Sequence, residues 1–375
     1  MILDMLYKAV LKPIFFRFDP EYVHDQMTAK GVFFSNHALT RSLIGAAYDY
    51  HGQDIGKTVD GLRYRTPFLL SAGFDYNGQL PLILPHIGLG GEEVGSVTAR
   101  ACEGNPKPRL TRLPKSKSII VNKGLRNEGV DKIIERLKDY KAKKQPSVSA
   151  LWASGEPKVV SGTDFIVGIS IARTNDDKSV PIEAGIQDYL YSFKRLNEES
   201  VGDYYTLNIS CPNAFGAEAF NQPQLLRRLL TAIKTVPSKK PLYVKMPINI
   251  PWPQFEALLK IIDEFGLNGV VIGNLNKDYS SLEFREEAPE VFKGGLSGKP
   301  CTHLSTDLIY KTRDAFGKRF TIIGVGGVLS PETAAEKFEA GADLVQLITG
   351  MIYEGPGLIK KLCRAFASRG RISMS

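Results

Sequence analysis

Residues 207–213 read Leu-Asn-Ile-Ser-Cys-Pro-Asn, so an apolar run stops at a thiol that stands between two carboxamides, Asn208 and Asn213. A lone cysteine is most often a small buried hydrophobe. At the rim of a strand, flanked by polar side chains, Cys211 can instead serve as a general base if it is held against a substrate proton. No histidine lies near it in sequence, which argues against a thiol–imidazole nucleophile, and the five histidines have no metal-ligand spacing. Lys245 ends the apolar run "LYVKMP", where it either reaches solvent or meets an anionic or electron-rich cofactor atom. Glycines cluster in "GVGGVLSPETA" (324–334), in "LITGMIYEGPG" (347–357) and in "GGLSGKP" (294–300). The first two suit an anion approached by backbone N–H groups. The third reads as a flexible loop, lying over a planar ring or turning at the surface.

These residues need a scaffold, and the chain supplies a rhythm. Short apolar runs occur at 68–73, 92–99, 164–172, 204–211, 242–247, 269–274, 320–327 and 344–350. Helix-like segments fill most intervals, as at 222–236, 252–266 and 330–342, the last opened by Ser330 as N-cap and Pro331 as first helical residue. Alternation of this kind implies parallel strands, and eight units imply a (β/α)8 TIM barrel. The unusual residues fall at the ends of the runs: Asp75, Asn77, Ser96, Thr98, Ser170, Asn208 to Asn213, Lys245, Asn274, Gly326, Gly327, Thr349 and Gly350. The C-terminal face of such a barrel carries the active site, and the loops after its last two strands commonly hold phosphate. The interval 100–163 is long and must hold extra structure. Residues 1–50 differ: they mix aromatic and aliphatic side chains with lysine and arginine at helical spacing, broken by Pro13 and Pro20. They read as a small N-terminal helical segment, docked on the barrel of residues 51–375 or resting on a membrane.

Bulk properties narrow the classes. The 375 residues carry a formal net charge of +8 and only four cysteines, Cys102, Cys211, Cys301 and Cys363, without a CxxC pair. That excludes a disulfide framework or cysteine-based zinc site and fits a reducing compartment. No apolar stretch is long enough to span a bilayer, and no secretory signal pattern opens the chain. The positive charge suits a solvated surface, a phosphorylated cofactor or an anionic membrane face. A nucleic-acid role is not expected, since no basic cluster interleaves with aromatics.

Several stretches are specific: "FRFDPEYVHD", "SAGFDYNG", "EVGSVTARACEGNPKPRLTRLP", "LNISCPN", "GGLSGKP", "IIGVGGV" and "LVQLITGMIYEGP". On these, from about residue 12 to the end, the chain resembles the dihydroorotate dehydrogenases, flavoenzymes of pyrimidine synthesis, and among them the quinone-linked, membrane-associated class. The resemblance implies oxidation of dihydroorotate to orotate on an FMN-bearing barrel, with a quinone as acceptor. It also implies a peripheral position on the cytoplasmic side of the inner membrane, or a cytoplasmic one. The FMN phosphate would lie on Gly326, Gly327 and Thr349, with Gly298 nearby, and Ser297 and Ile348 would also bind the cofactor. Ala72, Gly73, Ser96 and Ser170 would approach the flavin, and Asn208 and Lys245 would bond its edge. Cys211 would take the substrate proton, while Asn213 and Asn274 hold the substrate's amide-like edges. No metal is implied.

The departures concentrate at the substrate end. The quinone-linked class carries serine where this chain has Cys211, and cysteine belongs to the soluble class. Tyr76 stands where the family's lysine follows "GFD", and Val121 where an asparagine binds substrate, with Asn122 as its replacement one residue on. Leu125, Leu275, Ala214 and Ser170 replace a phenylalanine, two threonines and an asparagine. Lys123 or Arg126, from the same loop, would restore the missing charge. Three functions follow: a dihydroorotate dehydrogenase, a paralogous FMN oxidoreductase acting on a less acidic cyclic or unsaturated substrate, and a flavin-binding protein without turnover.

Overall fold

All eight apolar runs become strands, and they hydrogen-bond in a closed ring. The computed structural model describes residues 2–143, 165–213, 219–290 and 293–372; Ala214 lies outside them. The chain starts with α1 (Ile2–Leu6), a π-helical turn over Tyr7–Leu11, and α2 (Lys12–Phe15). It continues into α3 (Pro20–Ser35) and α4 (Ala38–Tyr48). A hairpin of β1 (Lys57–Val59) and β2 (Leu62–Tyr64) precedes the first barrel strands, β3 (Phe68–Leu70) and β4 (Gly91–Val97). The long interval holds β5 (Leu110–Leu113), β6 (Ser118–Val121) and α5 (Val130–Lys143).

The regular alternation then resumes. β7 (Ile166–Ile171), α6 (Ile182–Glu198), β8 (Tyr204–Asn208), α7 (Pro223–Ile233), β9 (Leu242–Met246), α8 (Trp252–Glu264) and β10 (Gly269–Ile272) follow in order. After β11 (Gly295–Leu296) come α9 (Thr302–Phe316), β12 (Thr321–Val325), α10 (Pro331–Glu339), β13 (Leu344–Leu347), α11 (Thr349–Glu354) and α12 (Gly357–Ile372). The barrel order is β3-β4-β7-β8-β9-β10-β12-β13, closing back on β3, and every pairing is parallel. The fold is therefore a (β/α)8 barrel with helices ahead of it.

The expected glycine loop at 294–300 is only partly a loop. Gly295 and Leu296 pair antiparallel with Val121 and Ile120, and β11, β6 and β5 form a separate three-stranded sheet. Short runs flanked by glycine give weak periodicity, so this pairing left no alternation to read.

One end of the barrel is sealed. Val59 and Tyr64 of the hairpin pack with Leu69, Tyr204, Tyr243 and Val271 inside it, and the Tyr243 hydroxyl donates to Asp60 Oδ2 (2.5 Å). Above this plug, Glu93 Oε2 accepts from Thr206 Oγ1 (3.0 Å), Gln346 Nε2 (3.1 Å) and Tyr204 Oη (3.3 Å). Only the C-terminal mouth remains for chemistry.

Helix α3 has the reverse of a surface helix's pattern. Asp19 caps it, accepting from Tyr22 N at 2.8 Å, and Pro20 is its first residue. Its buried side chains are Glu21, Thr28 and Ser35, seven residues apart on one face, whereas Tyr22, Met27, Phe33 and Phe34 are exposed. Across the described residues, twelve of the fifteen exposed large apolar side chains precede residue 44, so the apolar surface is gathered on the helical extension.

The helix-start reading at residue 330 gives the first test. Ser330 Oγ accepts from Thr333 N, and Thr333 Oγ1 accepts from Ser330 N (3.0 Å), a reciprocal cap ahead of α10. Ser330→Ala is expected to destabilise the ligand-free protein by about 1 kcal/mol, lowering its thermal midpoint by roughly 2 °C. A midpoint unchanged in calorimetry would show that the cap contributes nothing.

Candidate active site

Pairing of β8 with β9 sets Asn208 opposite Lys245, and both belong to the wall of one cavity of about 400 Å3 at the open mouth. The Asn208 amide is fixed in one orientation. Its Nδ2 donates to Ser96 Oγ (2.8 Å), and its Oδ1 accepts from Ser210 N (3.2 Å). Ser96 is in turn bonded to Ser170 Oγ (2.8 Å), which is fully buried one layer behind the cavity rather than on its wall. Lys245 is 4% exposed, and its nearest acceptor is Ser71 Oγ at 3.5 Å. Burial lowers its pKa, against the opposing influence of Glu93 and Cys211. No carboxylate forms an ion pair with it among the described residues.

Cys211 follows β8 and is half-buried on the cavity wall, whereas Cys102, Cys301 and Cys363 are buried. Asn274, after β10, donates from Nδ2 to both the carbonyl and the hydroxyl of Ser210 (2.8 Å each). Asn213 donates to the Val121 carbonyl (2.7 Å) and accepts from Lys277 Nζ (3.0 Å). The structure thus brings Cys211, Asn213 and Asn274 to the wall of the same cavity as Ala72 and Gly73. Asn122 does not join them. Its side-chain oxygen accepts from Asn105 Nδ2 (2.9 Å), its backbone N–H donates to the Arg109 carbonyl (2.7 Å), and Val121 lines the cavity instead. Pairing of β6 with β5 holds the register, so the anticipated one-residue shift does not occur.

Next to Lys245 the cavity adjoins an alcove of about 90 Å3 lined by Ser297, Gly298, Gly326, Gly327, Ile348 and Thr349. Ser297 and Thr349 share a hydroxyl–hydroxyl hydrogen bond of 2.8 Å. Gly327 has φ +71°, and a Cβ there would lie 2.0 Å from Thr302 Oγ1. Only glycine fits, and its bare backbone borders the alcove, the arrangement that lets amides approach an anion.

The other limb of the cavity runs under the extension, past Tyr7, Phe16, Val23 and Met27. Two polar residues stand beside it. Arg112 lies 4.7 Å from the Phe16 ring centroid and donates to the Phe18 carbonyl (2.9 Å). His24 Nε2 is 2.8 Å from the Phe74 carbonyl. Neither was singled out from sequence, although both fall in motifs quoted above; only their packing across α3, β5 and the β3 loop gives them a role. Tyr76 sits in the cavity between the His24 ring (5.0 Å between centroids) and Lys123 Nζ (4.8 Å from its centroid), and burial raises the pKa of its phenol.

Comparison with known proteins places this arrangement. Residues 55–369 match the family model for dihydroorotate dehydrogenase. "Dihydroorotate dehydrogenase (quinone)" of Bordetella parapertussis is 34% identical, with 98% of this chain and 100% of that protein aligned. The protein of the same name from Christiangramia forsetii is 32% identical over 97% of this chain and 100% of its own. Among solved structures, ligand-free DHODH from Eimeria tenella superposes with a TM-score of 0.78 at 25% identity, covering 95% of this chain and 96% of that one. The chain belongs to the dihydroorotate dehydrogenase family, and its full-length relatives are of the quinone class.

Proposed function

We propose that this protein oxidises dihydroorotate to orotate with FMN as cofactor and passes the electrons to a quinone. One observation carries the reading: Cys211, Lys245 and Asn274 share a cavity that adjoins a glycine-lined alcove at one end and an apolar limb at the other. The residues present fit FMN. Lys245 is a buried ammonium with no carboxylate partner among the described residues, and an electron-rich ring edge would supply what it lacks. When bound, FMN supplies the two-electron acceptor for a hydride. Gly298, Gly326, Gly327, Ser297, Ile348 and Thr349 would hold the phosphate, and the backbone of Ala72 and Gly73 would border the ring. Asn208 would bond the ring edge, kept in orientation by Ser96 and, behind it, Ser170.

Asn213 and Asn274 hold the polar edges of the substrate ring. Cys211, as thiolate, takes one proton from a ring carbon while the neighbouring carbon loses hydride, and the electron pair of the broken C–H bond forms the C=C bond. The apolar limb admits quinone, with Arg112 and His24 as its polar contacts. The exposed apolar face of α3 and α4 rests on a membrane surface, which the net charge of +8 favours. No helix among the described residues is long and apolar enough to cross a bilayer. Val121 and Leu275 on the wall favour a second reading, a neutral cyclic substrate, because they remove polar partners from the pocket.

Purified protein is expected to be yellow, to bleach under nitrogen on adding dihydroorotate and to recover its colour with a soluble quinone. Cys211→Ala should slow the bleaching by about 100-fold or more; flavin that stays oxidised in the wild type rejects the substrate. Lys245→Met removes an unpaired buried charge, so the ligand-free variant should melt higher than wild type while binding FMN more weakly. Lower stability together with unchanged FMN affinity would contradict that role. Co-sedimentation with anionic phospholipid vesicles should drop by about ten-fold in a Phe33→Glu, Leu39→Glu variant; unchanged binding would remove the extension from the membrane contact.

A further inference from the structure

Behind Tyr76, charges from three parts of the chain meet around one carboxylate. Glu21, reaching in from α3, is 3% exposed. Its Oε1 lies 3.0 Å from Lys123 Nζ, 3.0 Å from Arg126 Nη1 and 3.7 Å from Arg109 Nη1. Asp25, one turn along the same face, takes Arg126 at 3.2 Å and His24 Nδ1 at 3.3 Å. Lys107 is also near enough to act on Glu21. Two carboxylates therefore face three directly paired cations, and the cluster has positive charge to spare.

Of these cations, Lys123 and Arg126 border the cavity, and Lys123 is the one with N–H groups to spare. Arg126 is committed to Glu21 and both oxygens of Asp25, and its side chain is 39% exposed. Arg109 donates to the Glu103 carbonyl and does not border the cavity. Lys123 has a side chain only 8% exposed, borders the cavity, and has one hydrogen-bond acceptor among the described residues, Glu21 Oε1. Its ammonium rests 4.8 Å from the Tyr76 ring centroid, a cation–π contact that fixes position but accepts no hydrogen bond. A partly desolvated ammonium with N–H groups to spare is a receptor for an anion. Close by, Asn213 is tied to the Val121 carbonyl, two residues before Lys123, so the amide side of the pocket is hydrogen-bonded to the segment that carries its cationic side.

We propose that Lys123 is the specificity-determining residue of the site: it receives the carboxylate of an acidic ring substrate, and Glu21 holds its ammonium in place before the substrate arrives. The proposal rests on the function proposed above and deepens it, because it selects the acidic substrate class over the neutral one. The ion pair with Glu21 places the ammonium, and the substrate carboxylate then adds a third anion to a cluster of three cations.

The test uses FMN-loaded protein and two pairs of ligands that differ in one carboxylate: orotate against uracil for binding, read from the perturbed flavin spectrum, and dihydroorotate against dihydrouracil for reduction. Lys123→Met should weaken orotate binding and raise KM for dihydroorotate by about ten-fold or more, leave uracil binding unchanged, and change kcat less than KM. Lys123→Arg should recover part of the loss. Glu21→Gln, which removes the tether that places the ammonium, should also weaken orotate, by less than Lys123→Met does, and leave uracil alone, a ligand selectivity that a merely structural role would not produce. Equal orotate affinity in wild type and Lys123→Met overturns the proposal. Wild-type flavin that dihydroorotate does not reduce overturns the proposed function instead; the orotate and uracil binding pair still decides the role of Lys123, since it needs no turnover.

Discussion

A lysine buried at the centre of a barrel, with no carboxylate partner among the described residues, is the constraint on which the rest of the site depends. Lys245 projects from β9 into the mouth, above a layer in which Glu93 is already shared by Thr206, Gln346 and Tyr204. The plug of Val59, Tyr64 and the barrel tyrosines closes the far end, so water reaches the ammonium only from the mouth. Desolvating a charge this way is unfavourable unless a ligand compensates for it. The neighbouring arrangements fit that need: Asn208 is locked opposite by two hydrogen bonds, and the alcove beyond offers glycine backbone where a side chain would clash.

The helical extension answers a second constraint. The mouth presents Lys123, Arg126 and Arg109, which an ordinary amphipathic helix would meet with leucines. Helix α3 instead turns Glu21, Thr28 and Ser35 inward and leaves Phe33 and Phe34 outward. Polar pairing secures it to the barrel, and the apolar limb of the cavity opens beneath it, lined by Tyr7, Phe16 and Met27. One inversion of polarity thus serves both the charged rim and the apolar approach. A helix with the usual polarity would bury hydrocarbon against guanidinium groups and leave them unpaired.

The barrel was legible because each strand is a short apolar run ended by polar or glycine residues, and that pattern survives without tertiary information. The alcove was legible for the same reason, since Gly326 and Gly327 follow a strand directly. What stayed hidden depends on contacts between distant segments. Asn122 was expected at the substrate, but pairing of β6 with β5 and the Asn105 side chain hold it elsewhere. Ser170 was expected against the flavin and stands behind Ser96. The surroundings of Lys123 come from a helix about one hundred residues earlier, which no local spacing records.

Two departures that look like losses when taken singly belong together in space. Tyr76 puts a neutral ring where the resemblance implies a lysine, and three strands later Lys123 lays an ammonium on that ring. The charge has moved from one loop to another without leaving the pocket. A phenol whose pKa is raised by burial stays neutral, so it offers its face to the cation rather than a competing anion. The tether matters as much as the ring: Glu21 opposes the drop in pKa that burial imposes on Lys123. Relocation rather than loss of the cation explains why the apolar replacements, Val121 and Leu275, could accumulate on the wall beside it while the amides of Asn213 and Asn274 remained. A pocket that had given up acidic ligands altogether would have no use for a buried ammonium with one hydrogen-bond acceptor among the described residues.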